Sequence, residues 1–223
     1  MVKEGDVIEV KGLCKSFGRK KVLNNISFNV KHGEVLAILG ASGQGKSVLI
    51  KTLAGFYSPS NGRIDYDINE GKIAFSMQNN SIYESLTVKQ NWKYFGKLLG
   101  MTNKDINEIS EDLYHELDLK DYKNTLVSDL SGGTRKRVDI GCCLLNNPDV
   151  LILDEPFSGL DQDLVKELAR YILLLNSHGK TVIITSHRIK LISRICNRVL
   201  ALEKNKIMEL AKDKLWDYYG ELI

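Results

Sequence analysis

A mainly parallel α/β sheet, with an antiparallel β element ahead of it and an α-helical lobe inserted in it, is the fold class that the sequence predicts. Three observations predict it. Short apolar runs recur behind glycine or proline punctuation at residues 35–39, 73–75, 150–153 and 182–185, and they alternate with stretches of helical period such as residues 161–176. Strands that feed helices in this way build parallel sheets. Upstream, residues 7–13 and 22–30 alternate apolar with polar side chains, as an antiparallel pair lying against the main sheet does. Between residues 84 and 125 the period changes to three and four, through Trp92, Tyr94, Phe95, Leu98, Leu99, Ile109, Leu113 and Leu117. That stretch marks a helical lobe over about residues 80–145.

Toward the end, "RVLALEKNKIMEL" (198–210) reads as a hairpin turning at 203–205, followed by a short amphipathic helix that contains Trp216, Tyr218 and Tyr219. Neither an internal repeat nor a low-complexity linker divides the chain. At 223 residues and 25.1 kDa it is expected to form one domain, 1–223, with the lobe inside it.

Composition narrows the function classes. Net charge is +3, from 31 basic and 28 acidic side chains without a long block of one sign, so nucleic acid is not an expected partner. Cys14, Cys142, Cys143 and Cys196 show no CxxC pair and no signal peptide precedes them, which suits free thiols in a reducing compartment. No apolar run approaches the roughly 20 residues that cross a bilayer. Any membrane duty is then carried out from the water side.

Directly behind the run at 35–39 stands "GASGQGKS", in which Gly40, Gly45, Lys46 and Ser47 fit GxxxxGK[ST] and the helix-like "SVLIKTLAGF" follows. Glycines let successive backbone N–H groups turn inward around phosphate oxygens, and the positive end of the new helix faces the same point. The cradle comprises Gly40, Ala41, Ser42, Gly43, Gln44, Gly45, Lys46, Ser47 and Val48. Lys46 would reach the β and γ phosphates, and Ser47 would ligate Mg²⁺ with its hydroxyl. A P-loop NTPase is therefore the fold expected. "DVLILDEP" supplies the acids: Asp154 and Glu155 end an apolar strand, at the sheet edge where open α/β folds bind ligands. Asp154 would hold Mg²⁺ through water, and Glu155 would polarise the attacking water.

"LSGGTRKR" (130–137), about twenty residues ahead of "LILDEP", is followed by "SGLD" and by "IITSH", while Gln78 ends "KIAFSMQ" and Phe17 precedes the first motif. In this order the set resembles the ATPase subunit of an ABC transporter. The resemblance implies that Ser131, Gly132 and Gly133 open a helix facing the γ-phosphate of ATP held by a second such domain. Two domains would then sandwich two nucleotides head to tail. It further implies that His187 contacts the γ-phosphate and orients the water with Glu155, and that Gln78 joins the metal site to the lobe. Asp161 would touch the partner domain, and Phe17 would stack on adenine. The implied cofactors are ATP and Mg²⁺. The implied partners are a second nucleotide-binding domain, identical or not, and a transmembrane permease, met on the cytoplasmic face of the membrane by residues between Tyr83 and Leu99. His32, His115 and His178 have no such company and read as surface residues.

Three positions depart from the family pattern: Thr134 replaces glutamine, Phe17 replaces the commoner tyrosine, and Cys142 stands where arginine is frequent. The glycines and acids are intact, so hydrolysis is expected and a non-hydrolysing regulatory role is disfavoured. "NNSIYESLTVKQNWKYFGKLLGM" resembles exporters more than nutrient importers. A soluble ATPase of the same family, as in cluster assembly, is the alternative.

Overall fold

The structure is a computed structural model that describes residues 2–68, 72–78 and 81–215. Its strands are β1 (Asp6–Phe17), β2 (Lys20–Lys31), β3 (Val35–Leu39), β4 (Asn61–Tyr66), β5 (Ile73–Ser76), β6 (Val150–Leu153), β7 (Thr181–Thr185), β8 (Arg198–Glu203) and β9 (Lys206–Leu210). They form two sheets. One is antiparallel, in the order β2-β1-β4; the other has six strands in the order β5-β6-β7-β3-β8-β9, parallel except where β9 turns back on β8.

The four apolar runs all lie in the six-stranded sheet, and their burial explains why they are continuous rather than alternating. Val35, Ala37 and Leu39 of β3 enter the core on one face, and Leu36 and Ile38 enter the core on the other. Leu151 and Leu153 of β6 divide from Val150 and Ile152 in the same way, so both faces of the sheet are covered. The antiparallel sheet closes the second core, through Ile8, Val10, Leu13, Leu23, Ile26 and Val30.

Two strands exceed the sequence expectation. β4 joins the outer edge of β1, pairing Val10 with Ile64 and Lys11 with Arg63. Its six residues are all exposed or half-buried, so no apolar alternation announces it, and its partner β1 supplies the order. The hairpin arm β8 also docks parallel beside β3, with Ala37 opposite Val199.

The helices are α1 (Lys46–Leu53), α2 (Val88–Leu98), α3 (Asn103–Glu116), α4 (Gly132–Leu144), α5 (Gln162–Ser177) and α6 (Ile189–Ile195). Helices α2 and α3 start at Thr87 and Thr102, each in a reciprocal capping box, with Gln90 and Asp105. Within the lobe, α2 is tied to α4 by Trp92, which is fully buried, stacks on Tyr114 of α3 at 4.5 Å and donates from Nε1 to the Val138 carbonyl at 3.0 Å. The apolar stripe expected of the lobe divides here. Trp92, Leu113 and Leu117 are core, whereas Tyr83, Tyr94, Leu98 and Leu99 face outward. His32, His115 and His178 are exposed as expected. The terminal helix expected around Trp216, Tyr218 and Tyr219 lies outside the described residues.

Candidate active site

Because β5, β6, β7 and β3 run parallel, their carboxyl ends share one edge, and each end delivers one of the sequence motifs. Glycine chemistry shapes the loop after β3. A Cβ on Gly40 would stand 2.5 Å from the Leu202 carbonyl oxygen, so the loop leaves the strand only because that position is bare. Gly45 caps α1 in the left-handed region, at φ 101°, where L side chains are strained.

At the centre of the edge lies Glu155. Its Oε2 is 3.0 Å from Nδ1 of His187, and its Oε1 is 3.8 Å from Nζ of Lys46. Nζ of Lys46 also donates to the carbonyls of Gly40 at 2.8 Å and Ala41 at 3.4 Å. Glu155 occupies positive φ, 46°, a conformation that non-glycine residues keep only where surrounding structure enforces it. Thr185 at the end of β7 is the enforcer, since its Oγ1 accepts from the Glu155 N–H at 2.9 Å. The same hydroxyl donates to Oδ1 of the buried Asp154 at 2.6 Å, so one side chain orients both acids.

A cavity of about 720 Å³ opens over this edge. Gly40, Ala41, Ser42, Gly43, Gly45, Lys46, Ser47 and Val48 line it, with Gln78, Glu155 and His187 from the neighbouring strand ends and Phe17 from the end of β1. Phe17 is 43% exposed and is held edge-on by Tyr57, at 5.3 Å between ring centres. Gln44 is not part of the lining; its Oε1 accepts from the N–H of Lys204 at 3.0 Å and ties the loop to the β8–β9 turn. Asp154 lies behind the lining, buried against Thr185.

Lys20, Lys21, Val22, Ser158 and Asn205 also line the cavity, and sequence reasoning passed over them as site residues. Ser158 sits in the "SGLD" motif and had a signal there. Asn205 had none: the hairpin turn carries it to β2, where its Nδ2 donates to the Lys21 carbonyl at 3.2 Å across 184 residues of sequence.

Ser131, Gly132 and Gly133 stand apart from this cavity. Ser131 caps α4, its Oγ accepting from the Thr134 N–H at 3.2 Å. Gly133 has a reason within the fold, because a Cβ there would collide with Leu164 of α5. Gly132 has no such reason. It has ordinary backbone geometry, and, its own helix backbone aside, no described residue comes within 4 Å of where its Cβ would lie. Asp161 caps α5, with Oδ1 accepting from the N–H groups of Asp163 and Leu164 at 3.0 and 2.9 Å.

Residues 23–158 match the family described as ABC transporter. The chain belongs to that family. Among relatives of this ABC transporter ATP-binding chain, an uncharacterised ABC transporter ATP-binding protein of Methanocaldococcus jannaschii is 37% identical, over 92% of this chain and 77% of its own. The Nod factor export ATP-binding protein I of Rhizobium leguminosarum is 33% identical over 89% of this chain and 67% of its own. The methionine import ATP-binding protein of Chlamydia felis is also 33% identical, over 97% and 69%. Among solved structures, CbiO1 of Clostridium perfringens, described as part of the ABC transporter complex CbiONQ, superposes with a TM-score of 0.86 at 28% identity, covering 98% of this chain and 93% of that one.

Proposed function

We propose that this chain binds and hydrolyses ATP as the motor subunit of an ABC transporter, an exporter, and that it works as a head-to-tail pair of nucleotide-binding domains. The observation that carries this reading is the convergence of Lys46, Glu155 and His187 on one cavity rimmed by the glycine loop. A glutamate within hydrogen-bond reach of a histidine, beside a lysine that can reach phosphate, is the set that phosphoryl transfer to water requires. Glu155 accepts the proton of the attacking water, His187 fixes the carboxylate and meets the γ-phosphate, and Lys46 meets phosphate oxygens. Phe17 offers a ring face to the adenine.

The donors at hand are oxygens: the Ser47 hydroxyl, the Gln78 amide and the buried Asp154 carboxylate, already oriented by Thr185. Among the described residues no group of three or more His, Cys, Asp or Glu side chains forms an all-protein cage. Such a sparse, hard set fits Mg²⁺, which keeps waters and phosphate oxygens as ligands. Ser47 and Gln78 would hold it directly, and Asp154 through water. When bound, Mg²⁺ neutralises charge developing on the phosphates.

Pairing of two domains rests on Gly132. A glycine without an internal reason, at the N-terminus of α4 and away from its own cavity, suits close backbone approach to a phosphate on another copy. On this proposal residues 1–223 form one domain with the lobe at about 80–145 inserted, and Asp161 adds contact with the partner to its capping of α5. The outward Tyr83, Tyr94, Leu98 and Leu99 would receive the permease at the cytoplasmic face of the membrane. No helix among the described residues is long and apolar enough to cross a membrane. Export is preferred on the stretch that follows Gln78 and on the relative named for Nod factor export; the relative named for methionine import is the counterweight.

The experiment is Glu155→Gln with Mg²⁺ and ATP, followed by light scattering. The expected result is bound, uncleaved ATP and a stable dimer. A variant that binds ATP and remains monomeric overturns the paired mechanism.

A further inference from the structure

Behind the glycines that open α4 lies an ion pair that the reading above leaves unused. Lys136 and Asp139, one helical turn apart, are 5% and 2% exposed, with Nζ 3.4 Å from Oδ2. Both also bond outside their helix. Nζ of Lys136 donates to the Met77 carbonyl at 2.6 Å and to Oγ of Ser76 at 2.9 Å. The Asp139 carboxylate accepts from Oγ of Ser76 at 2.6 Å through Oδ2, and from the N–H of Ser81 at 3.0 Å through Oδ1. Ser76 ends β5, Met77 follows it, and Gln78 is next. The pair therefore grips the chain on both sides of Gln78.

Burying two opposite charges is seldom the most stable use of a core position, because desolvation offsets their attraction and apolar pairs of similar volume commonly serve stability as well or better. Apolar side chains cannot hold a carbonyl, a hydroxyl and an amide at set positions. Holding them is what this pair does. The same helix begins with Ser131, Gly132 and Gly133, and Lys136 lies three residues beyond Gly133.

We propose that Lys136 and Asp139 are positioning residues that lock the N-terminal end of α4 to the turn carrying Gln78, so that the glycine tip and the metal-directed amide move as one body. This rests on the proposed function, since it gives the tip and Gln78 their duties there. Within that reading, closure of the tip on nucleotide and delivery of Gln78 become a single event. The lobe can then transmit a permease movement to the metal site through side-chain bonds.

The test uses the whole chain and compares Asp139→Ala with the apolar double variant Lys136→Met/Asp139→Leu. Thermal unfolding, ATP affinity by calorimetry, kcat, KM and the Mg²⁺ concentration for half-maximal turnover are measured for each. The expected result is a double variant that stays folded at the assay temperature, with a lowered melting temperature because the buried Ser76 hydroxyl loses both partners, and that binds ATP within about twofold, yet turns over about tenfold to a hundredfold more slowly, as misplacement of a catalytic group does. It should also need more Mg²⁺, because Gln78 is no longer delivered. A double variant with wild-type kcat and wild-type Mg²⁺ dependence overturns the proposal and leaves the function intact. A wild-type chain without Mg²⁺-dependent turnover removes the function, and the proposal with it.

Discussion

Nδ1 of His187 lies 3.0 Å from Oε2 of Glu155, although 32 residues separate them in sequence. Adjacent parallel strands β6 and β7 end side by side, and Thr185 fixes the Glu155 backbone at its unusual positive φ, so the contact is built by the sheet. Replacing His187 by alanine should weaken ATP binding about tenfold, the loss of one hydrogen bond to the γ-phosphate, and lower kcat a further hundredfold or so, because the Glu155 carboxylate is no longer held for proton transfer. Single-turnover kinetics beside calorimetry separates the two. Equal losses in binding and turnover would return His187 to a structural role.

Nζ of Lys46 donates to the carbonyls of Gly40 and Ala41 and lies 3.8 Å from Oε1 of Glu155. Phosphate oxygens are charged acceptors and make stronger hydrogen bonds with an ammonium than carbonyls do. A hydrogen bond to a charged group is worth about 1.5–3 kcal/mol, so Lys46→Ala should weaken ATP binding at least about tenfold. Titration calorimetry reads this directly. Undiminished affinity would mean that the triphosphate lies elsewhere.

The two glycines at the start of α4 should part company under substitution. Gly133→Ala drives a methyl into Leu164, and such overpacking costs about 1–3 kcal/mol. Gly132→Ala meets nothing, and alanine is up to about 1 kcal/mol the better helix former. Its melting temperature should hold or rise while ATPase activity falls, because the methyl obstructs only what approaches from outside. Unfolding scans and steady-state rates on the two variants test the contrast. A fully active Gly132→Ala protein would remove the structural argument for pairing.

The strand-end motifs were legible because a strand buried on both faces must be continuously apolar, and a glycine, an acid or a histidine at its end stands out. The left-handed Glu155 and the Thr185 hydroxyl that serves both acids were not, since neither leaves a spacing signal. β4 carries almost no apolar alternation and is ordered by β1. Trp92 and Tyr94 have similar side chains two residues apart on one helix, yet α4 covers the first and leaves the second 41% exposed. That choice belongs to tertiary packing.

The cysteines on and near the lobe side of the core are expected to be chemically silent. Burial pushes the Cys142 thiol well above its ordinary value and the Cys196 thiol up to about 12. Only the thiolate reacts at a useful rate, so at pH 8 neither should be alkylated in the native protein, and both should be once it is unfolded. The same shift ties stability to alkaline pH. From about pH 9 the unfolded chain ionises a thiol that the native state keeps protonated up to about 12. The unfolded state then binds fewer protons, and stability falls as pH rises through that window. Mass spectrometry of peptides alkylated before and after denaturation checks the first expectation, and denaturant midpoints from pH 8 to 11 check the second. Rapid native labelling of Cys142 would show that α4 leaves its packing against α2 and α3 more readily than the buried Trp92 contact allows.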